Sequence, residues 1–249
     1  MKKTVLLALL LAVSCSIKED RVGCPCRLTV VLAEAGGVDG EDLVLGISGF
    51  PDERLSGARI PERVERTVEK GIHKVTAFCG DEGMILHSGV LSVPRGEACG
   101  RLMARSEEIE CRSEGAVDTV RLRKQHIVLT FRLDPSSAGV RVRSQWNGIS
   151  VRDLSPAAGE YLAPAVRTGP GEFKALLLRQ GDATAVADIL DADRAVVQTL
   201  PVGTMLLSAG FDFEAEDLDD AIICLDKAPD GFSVSVEEWG EEEENEVNV

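Results

Sequence analysis

The sequence predicts an all-β protein made of two small β-sandwich domains. Short segments of alternating apolar and polar residues recur along the chain, separated by Gly, Pro and Asp, as in sheets with one buried face. No stretch of twelve or more residues keeps the 3.6-residue period of an amphipathic helix. The chain has 249 residues, of which 44% are hydrophobic, and this length and composition suit one or two globular domains.

Nine segments are predicted as strands on this period-two pattern. In the strand over 126–133, Ile127, Leu129 and Phe131 face inward, whereas the strand over 71–79 offers two faces that can both be used. The predicted strands are 27–32, 71–79, 126–133, 139–143, 171–178, 195–200, 204–213, 221–225 and 232–236. Residues 61–70 are predicted to form a short helix or a charged loop.

The first residues are typical of a bacterial export signal that ends in a lipidation site. Lys2 and Lys3 precede an apolar run over 5–13, which is too short to span a bilayer ~30 Å thick. Small residues and a cysteine follow, and this pattern resembles a lipobox. The sequence therefore predicts a signal peptide over 1–14, cleavage between Ser14 and Cys15, and acylation of Cys15. An ordinary secretory signal with an incidental cysteine is the alternative.

Residues 15–26 are predicted to tether the first domain to the lipid. Residues 16–20 combine a lysine with two acids, which resembles the signal that sends lipoproteins of Bacteroidota to the outer face of the outer membrane. A solvated linker is the alternative explanation of the same charges. An extended chain spans at most ~3.3–3.6 Å per residue, so this tether would hold the first strand within ~40 Å of the membrane.

The domain boundary is predicted near residues 115–126, where polar residues separate two sets of strands. We expect an N-terminal domain over 27–120 and a C-terminal domain over 121–240, each large enough for a small sandwich core. An acidic tail over 241–249 follows. It belongs to a stretch, 237–249, that holds seven glutamates and no basic residue, so its like charges favour an extended and mobile chain.

Charge and motifs exclude several classes of function. The net charge of −15 argues against binding to nucleic acid, which needs a basic surface. The sequence contains no GxSxG, HExxH, Walker or GxGxxG motif, so no enzyme activity and no cofactor are predicted. Of the three histidines, His73 and His126 occupy strand positions, where a structural role is usual, and His87 lies in a predicted hairpin.

No metal site is predicted either. Residues 24–26, Cys-Pro-Cys, lack the second Cys or His pair that a zinc site requires. Residues 212–226 are rich in carboxylates but lack the spacing of a calcium loop, so we expect a solvated acidic loop there. Six cysteines remain besides Cys15, and the oxidising environment outside the cytosol permits 15 pairings between them. They are Cys24, Cys26, Cys79, Cys99, Cys111 and Cys224.

Residues 15–32, CSIKEDRVGCPCRLTVVL, resemble the start of the FimB-type fimbrial-anchor lipoproteins of type V pili in Bacteroidota. Residues 70–78, 146–149 and 234–239 resemble later parts of that family more loosely. The resemblance implies two transthyretin-like β-sandwich domains in tandem and no enzyme activity. It also implies a role in anchoring or terminating a fimbrium at the outer membrane, with pilin subunits as partners that bind by β-strand addition.

Two alternatives stay open at this point. By the same resemblance, a polymerising fimbrillin is cut after an arginine in its leader, and Arg21 offers such a site. A surface glycan- or ligand-binding lipoprotein could use the same kind of sandwich. It would need a cluster of aromatic side chains, and the chain offers only Trp146, Trp239, Tyr161 and seven Phe.

Overall fold

The computed structural model describes residues 24–33, 35, 40–225 and 232–237, the last six as backbone only. The prediction of an all-β fold is confirmed: these residues form strands, one short α-helix and a 3-10 turn at Gly57–Arg59. The strands are β1 (Cys26–Val31), β2 (Leu43–Ile47), β3 (Glu53–Leu55), β4 (Arg63–Val68), β5 (Gly71–Cys79), β6 (Ile85–His87), β7 (Val90–Ser92), β8 (Met103–Cys111), β9 (Gly115–Thr119), β10 (Arg123–Lys124), β11 (His126–Arg132), β12 (Gly139–Ser150), β13 (Pro156–Pro164), β14 (Val166–Gly169), β15 (Glu172–Leu178), β16 (Val186–Leu190), β17 (Val196–Leu200), β18 (Asp220–Leu225) and β19 (Phe232–Glu237).

Two sheets from the first half of the chain pack around one core. The smaller has the strand order β4-β1-β9, with β1 antiparallel to β4 and parallel to β9. The larger has the order β10-β8-β5-β2-β3. Leu28 and Val30 of β1 meet Leu45 of β2 and Val75 of β5 in this core, because alternate residues of each strand face the same side.

Strand β5 buries residues on both of its faces, as the sequence predicts. Val75, Ala77 and Cys79 belong to the first core. Phe78 points to the other side of the sheet and joins a second core, together with Val44 of β2. The larger sheet of the first sandwich therefore contributes side chains to the packing of the second half of the chain.

The second half forms another pair of sheets around this second core. One has the order β14-β15-β11-β18-β19, and Ile127, Leu129 and Phe131 of β11 are fully buried in it, as predicted. The other has the order β17-β16-β12-β7-β6, with β13 paired to β12. Hairpin β6–β7 precedes residue 121 in the chain and yet pairs with β12 in this sheet. The domain ranges 27–120 and 121–240 stay a prediction.

The predicted strand over 204–213 is wrong. The chain instead forms a helix, α1 (Val202–Ser208), which follows Pro201 at its N-cap position. Val202, Met205 and Leu206 are buried, and their spacing of three and four residues places them on one helical face. Seven residues make only about two helical turns, too few for a 3.6-residue period to stand out in the sequence.

Residues 61–70 form neither the predicted helix nor a charged loop. They include β4, whose Val64 and Val68 are buried. Arg66 lies between these valines on the same face and forms an ion pair with Glu53. A charged residue thus occupies an inward-facing position, which hides the period-two pattern of the strand in the sequence.

The acidic segment over 212–226 is not the solvated loop that we expected. Buried Arg179 donates hydrogen bonds to the backbone oxygens of Phe213 and Ala215, at 2.8 and 2.7 Å. The carboxylate of Asp217 accepts a 2.7 Å hydrogen bond from the backbone N–H of Lys124. Asp220 accepts another, also 2.7 Å long, from the backbone N–H of Val128. These contacts fasten the segment to β10 and β11.

His126 is a structural histidine, in agreement with its predicted role. Its ring is 4% exposed, and its Nδ1 lies 3.1 Å from the backbone oxygen of Leu102. Burial lowers the pKa of His126 from 6.5 to about 4, because the charged imidazolium loses its hydration. The folded protein therefore keeps this ring neutral at pH values where an exposed histidine is protonated.

This difference predicts a loss of stability as the pH falls from 6.5 to about 4. In that range the unfolded chain binds a proton at His126 and the folded chain does not, so acid favours unfolding. Between pH 7 and pH 5, the wild type should lose about 2 kcal/mol more of its free energy of unfolding than a His126→Gln variant, measured by urea titration. Exposed His87 supplies the control, since His87→Gln should follow the wild type. The prediction would be contradicted if the free energy of unfolding fell with pH by the same amount in the wild type and in His126→Gln.

Candidate functional site

The described residues offer little chemistry for catalysis or metal binding. In this part of the chain, no three His, Cys, Asp or Glu residues come together in a way that could hold a metal ion. Cys24 is exposed, whereas the neighbouring Cys26 is buried, so the two thiols of the Cys-Pro-Cys segment do not share a surface. The Nε2 atom of His73 lies 2.7 Å from the backbone oxygen of Glu69, so this ring has a hydrogen-bond partner within the protein.

A cleft of about 380 Å³ opens between strand β8 and residues 214–216, and three arginines line it. Arg105 is committed to a buried ion pair, with its two terminal nitrogens 2.8 and 2.7 Å from the carboxylate oxygens of Asp118. Arg123 binds Asp217 at 2.9 Å, and Arg179 binds backbone oxygens of the acidic segment. The guanidinium groups are therefore already used within the protein, which argues against an anion-binding site here.

Trp146 does not form an exposed platform for a sugar. The residue is half-buried and its indole nitrogen is fully buried. Its ring lies against the backbone of Gly181, so close that an added Cβ there would be 2.6 Å from the ring. The second tryptophan, Trp239, lies outside the described residues.

The open edges of the sheets are further candidate sites, and β17 differs from the others. An edge strand presents unpaired backbone N–H and C=O groups, and proteins usually protect such edges with charges or prolines. Among edge strands with described side chains, β17 is the only one of five or more residues that has neither. The protecting residues elsewhere are Arg63, Glu65 and Arg66 in β4, Asp118 in β9, and Pro156, Glu160 and Pro164 in β13.

Strand β17, with the sequence VVQTL, is exposed along most of its length. Val196 and Val197 are 47% and 61% exposed, and only Leu200 is buried. The strand pairs with β16 alone, in an antiparallel register that matches Leu200 with Ala187. A bulge near its start leaves Val197 without a partner residue on β16, because Val196 faces Leu190 and Gln198 faces Ile189. The side chain of Val197 is thus free to meet another chain.

A row of polar side chains holds β17 in place from one face of the sheet. The carboxylate of Asp188 on β16 is 1% exposed and accepts hydrogen bonds from Arg141 and Arg143 of β12 at 2.8 Å. It also accepts a 2.8 Å hydrogen bond from the hydroxyl of Thr199 on β17. The hydrogen bond from Arg143, with those from Arg141 and Thr199, holds the pKa of Asp188 well below its usual range. The hydrogen bond from Thr199 therefore ties β17 to a buried carboxylate of the neighbouring strand.

The site residues predicted from the sequence lie elsewhere. Ser14, Cys15 and Arg21 fall outside the described residues, as does the acidic tail over 241–249. The strand over 195–200 was predicted but was not recognised as a site. The sequence VVQTL contains no charged residue, and this is the one feature that could have indicated a docking edge. The feature is informative only once the topology shows that the strand lies at the edge of its sheet.

Within the described residues, no helix is long and apolar enough to cross a membrane. The described residues thus form a tandem β-sandwich protein whose edge strand β17 carries no charge. No protein-family model and no curated protein sequence matches the chain.

Solved structures show the same fold. The chain is similar to the fimbrial anchor protein Mfa2 of Porphyromonas gingivalis, with a TM-score of 0.57 and 12% identity over 85% of this chain and 95% of that one. It is also similar to the tip fimbrial protein Mfa3 of the same organism, solved with a C-terminal truncation (TM-score 0.51, 11% identity, 86% and 100% covered). A third is a candidate polysaccharide-binding protein of Bacteroides thetaiotaomicron (TM-score 0.59, 12% identity, 81% and 92% covered). The predicted resemblance to the fimbrial anchor family is confirmed at the level of the fold.

Proposed function

We propose that this protein is a structural lipoprotein that anchors or terminates a fimbrium at the cell surface. In this proposal, acyl chains on Cys15 hold it in the outer membrane, and a strand of a pilin subunit pairs with β17. The observation that carries the proposal is the exposed, uncharged edge of β17 in a fold shared with fimbrial anchor and tip proteins. No enzymatic step is part of it.

Strand addition would use the unpaired backbone groups and the exposed side chains of β17. A docked strand would take up the unpaired backbone groups of the edge and so supply affinity. The exposed side chains of Val196 and Val197 would supply apolar contacts on the two faces of the sheet. The hydrogen bonds from Arg141 and Thr199 to Asp188 already hold β17 in place. Little conformational entropy of β17 would therefore be lost when another strand binds.

The predicted tether supports an anchor more than a polymerising subunit. Strand β1 begins at Cys26, so only residues 15–25 separate the predicted lipid from the first sandwich. An extended chain of that length holds the sandwich within ~40 Å of the membrane. If the chain were instead cut after Arg21, the lipid would be lost and the protein could join the fibre shaft. The amino terminus of the mature protein distinguishes these cases, since the proposal expects an acylated Cys15 and the fimbrillin alternative expects Val22.

The glycan-binding alternative gains less support from the geometry. The similarity to a candidate polysaccharide-binding protein shows a shared fold alone at 12% identity. Trp146 is half-buried against Gly181, and the 380 Å³ cleft has no aromatic residue in its lining. Neither of these two places therefore offers an exposed aromatic ring on which a sugar could stack.

Deleting the gene tests the anchoring role directly. We expect the mutant cells to make pilin at the normal level but to shed fibres into the medium, or to carry fibres of altered length, because the attachment or termination step is missing. Electron microscopy and immunoblots of pilin in the cell and medium fractions measure both effects. Complementation with the wild-type gene should restore the original distribution. Firmly attached fibres of unchanged length in the deletion strain would contradict the proposal.

A further inference from the structure

We propose that Cys26 and Cys111 form a disulfide bond in the exported protein, joining the first residue of β1 to the last residue of β8. This inference rests on the proposed function in one respect, namely export, because the cytosol keeps thiols reduced. The bridge would connect the two sheets of the first sandwich. It would also fasten the strand that directly follows the membrane tether.

The two cysteines meet inside the first core. Both are 0% exposed and belong to the same cluster of buried residues. Cys26 pairs with Val68, the last residue of β4, and Cys111 pairs with Gly71, the first residue of β5, so the short turn between these strands brings the two cysteines together. A disulfide needs two cysteines whose side chains already point at each other, since otherwise the backbone must move. In this fold the two cysteines lie at neighbouring positions of one core.

The turn between β8 and β9 explains why these distant residues are neighbours. Cys111 ends β8, where it pairs with Gly71 of β5, and the chain then turns toward the other sheet. The backbone N–H of Arg27 donates a 2.9 Å hydrogen bond to the oxygen of Glu114, and Arg27 pairs with Gly115 in the parallel ladder. This hydrogen bond links Arg27, which directly follows Cys26, to Glu114, which lies three residues after Cys111. The backbone itself holds the two thiols together at this corner of the sandwich.

The fold also separates other cysteines from this pair. Cys79 shares the first core but pairs with Met103, at the end of β5 opposite to Gly71 and its partner Cys111. Cys99 belongs to the second core, on the other side of the larger sheet. Cys224 lies in β18 of the second sandwich, and Cys24 is exposed. Of the 15 pairings that the sequence leaves open, the structure therefore favours those that contain the bond from Cys26 to Cys111.

The reaction is a two-electron oxidation of two thiols. The two S–H bonds break, one S–S bond forms, and two protons are released. The two electrons, together with two protons, convert the disulfide of a thiol–disulfide oxidoreductase, or of glutathione in a refolding buffer, to two thiols. Burial, followed by the hydrogen bond with Cys26, raises the pKa of Cys111 to about 11, so the reactive thiolate is scarce in the folded core at neutral pH. Oxidation is therefore expected during folding, before the core closes.

Refolding of the purified full chain tests the geometry independently of export. The chain is refolded in a glutathione redox buffer, alkylated and digested with trypsin. We expect peptide 22–27 linked to peptide 106–112, with a mass about 2 Da below the sum of the two thiol peptides, and loss of this species on reduction. Since residues 22–27 contain both Cys24 and Cys26, Cys24→Ser should keep the link and Cys26→Ser should remove it. Absence of the link, or its dependence on Cys24, would overturn the inference.

The same digest of protein taken from the cell envelope tests the bond in its natural setting. The linked peptide should appear there, and it should be missing when the chain is made without residues 1–14 and stays in the cytosol. A link that forms on refolding but not in envelope protein would overturn the proposed bond and would count against export. Failure in both settings would overturn the bond while leaving the proposed anchoring function to the gene-deletion experiment.

Discussion

Replacing Cys15 by alanine should move the protein from the membrane fraction to the soluble or secreted fraction. Each buried methylene of an acyl chain contributes ~0.8 kcal/mol to membrane binding, so several chains on one cysteine give an anchor that is lost entirely with the thiol. Fractionation of cells followed by immunoblotting measures the change, and metabolic labelling with a fatty acid should mark the wild type but not Cys15→Ala.

Cys24 supplies a matched control for this experiment. It is an exposed cysteine close to the same end of the chain, and Cys24→Ala should remain in the membrane and keep its label. A wild-type protein that takes up no fatty acid would end the lipoprotein interpretation. Release of both variants would show that the effect is not specific to the predicted lipobox.

Replacing Val197 by lysine should weaken pilin capture by at least about tenfold, which corresponds to ~1.4 kcal/mol. A lysine on an edge strand opposes pairing with another strand, because its charge would have to be desolvated in the new ladder. Val197 is 61% exposed, so the substitution should change the free energy of unfolding by less than about 0.5 kcal/mol. Capture is measured by binding of purified pilin to the immobilised protein.

Val166 of β14 offers the control, since it is 62% exposed on the edge of another sheet. Val166→Lys should bind pilin like the wild type. If Val166→Lys abolishes capture and Val197→Lys does not, the docking edge is β14 and the assignment to β17 is wrong. If neither variant changes capture, strand addition at either edge is contradicted.

Much of the fold follows from the sequence because single-sided burial produces alternation. In β11, the inward residues Ile127, Leu129 and Phe131 recur at every second position, and the predicted strand over 126–133 differs from the observed one by a single residue. The two usable faces of β5 were also read correctly, because Phe78 is apolar on the face opposite Val75. These segments have enough apolar residues at period two for the local pattern to identify a strand and its buried faces.

Elsewhere, tertiary contacts override or conceal the local pattern. Strand β8 carries the sequence RSEEIE, whose charged residues gave no signal for a strand. Its Arg105 is nonetheless buried, because Asp118 neutralises it from β9. Likewise Arg66 occupies an inward position in β4 by pairing with Glu53. Such partners come from distant parts of the chain and cannot be inferred from the spacing of the residues.

The candidate site shows the same limit. The segment of β17 was recognised as a strand, but its position at an edge depends on how β16, β12 and β7 are ordered in the sheet. The contact between Cys26 and Cys111 depends in turn on the β8–β9 turn. Cysteine spacing contains no information about that turn, so 15 pairings remained open until the fold was known.

If the protein fastens a fibre to a membrane, as proposed, the position of β1 has a mechanical consequence. When flow drags the fibre, tension would pass along the tether and into the fold at the start of β1. That strand lies between β4 and β9 and is hydrogen-bonded on both sides. Because ladder hydrogen bonds run across the strands, a pull along β1 loads both rows together instead of peeling them apart one bond at a time. Survival under force depends on the rate of unfolding. A central strand therefore makes a stronger attachment point than an edge strand would.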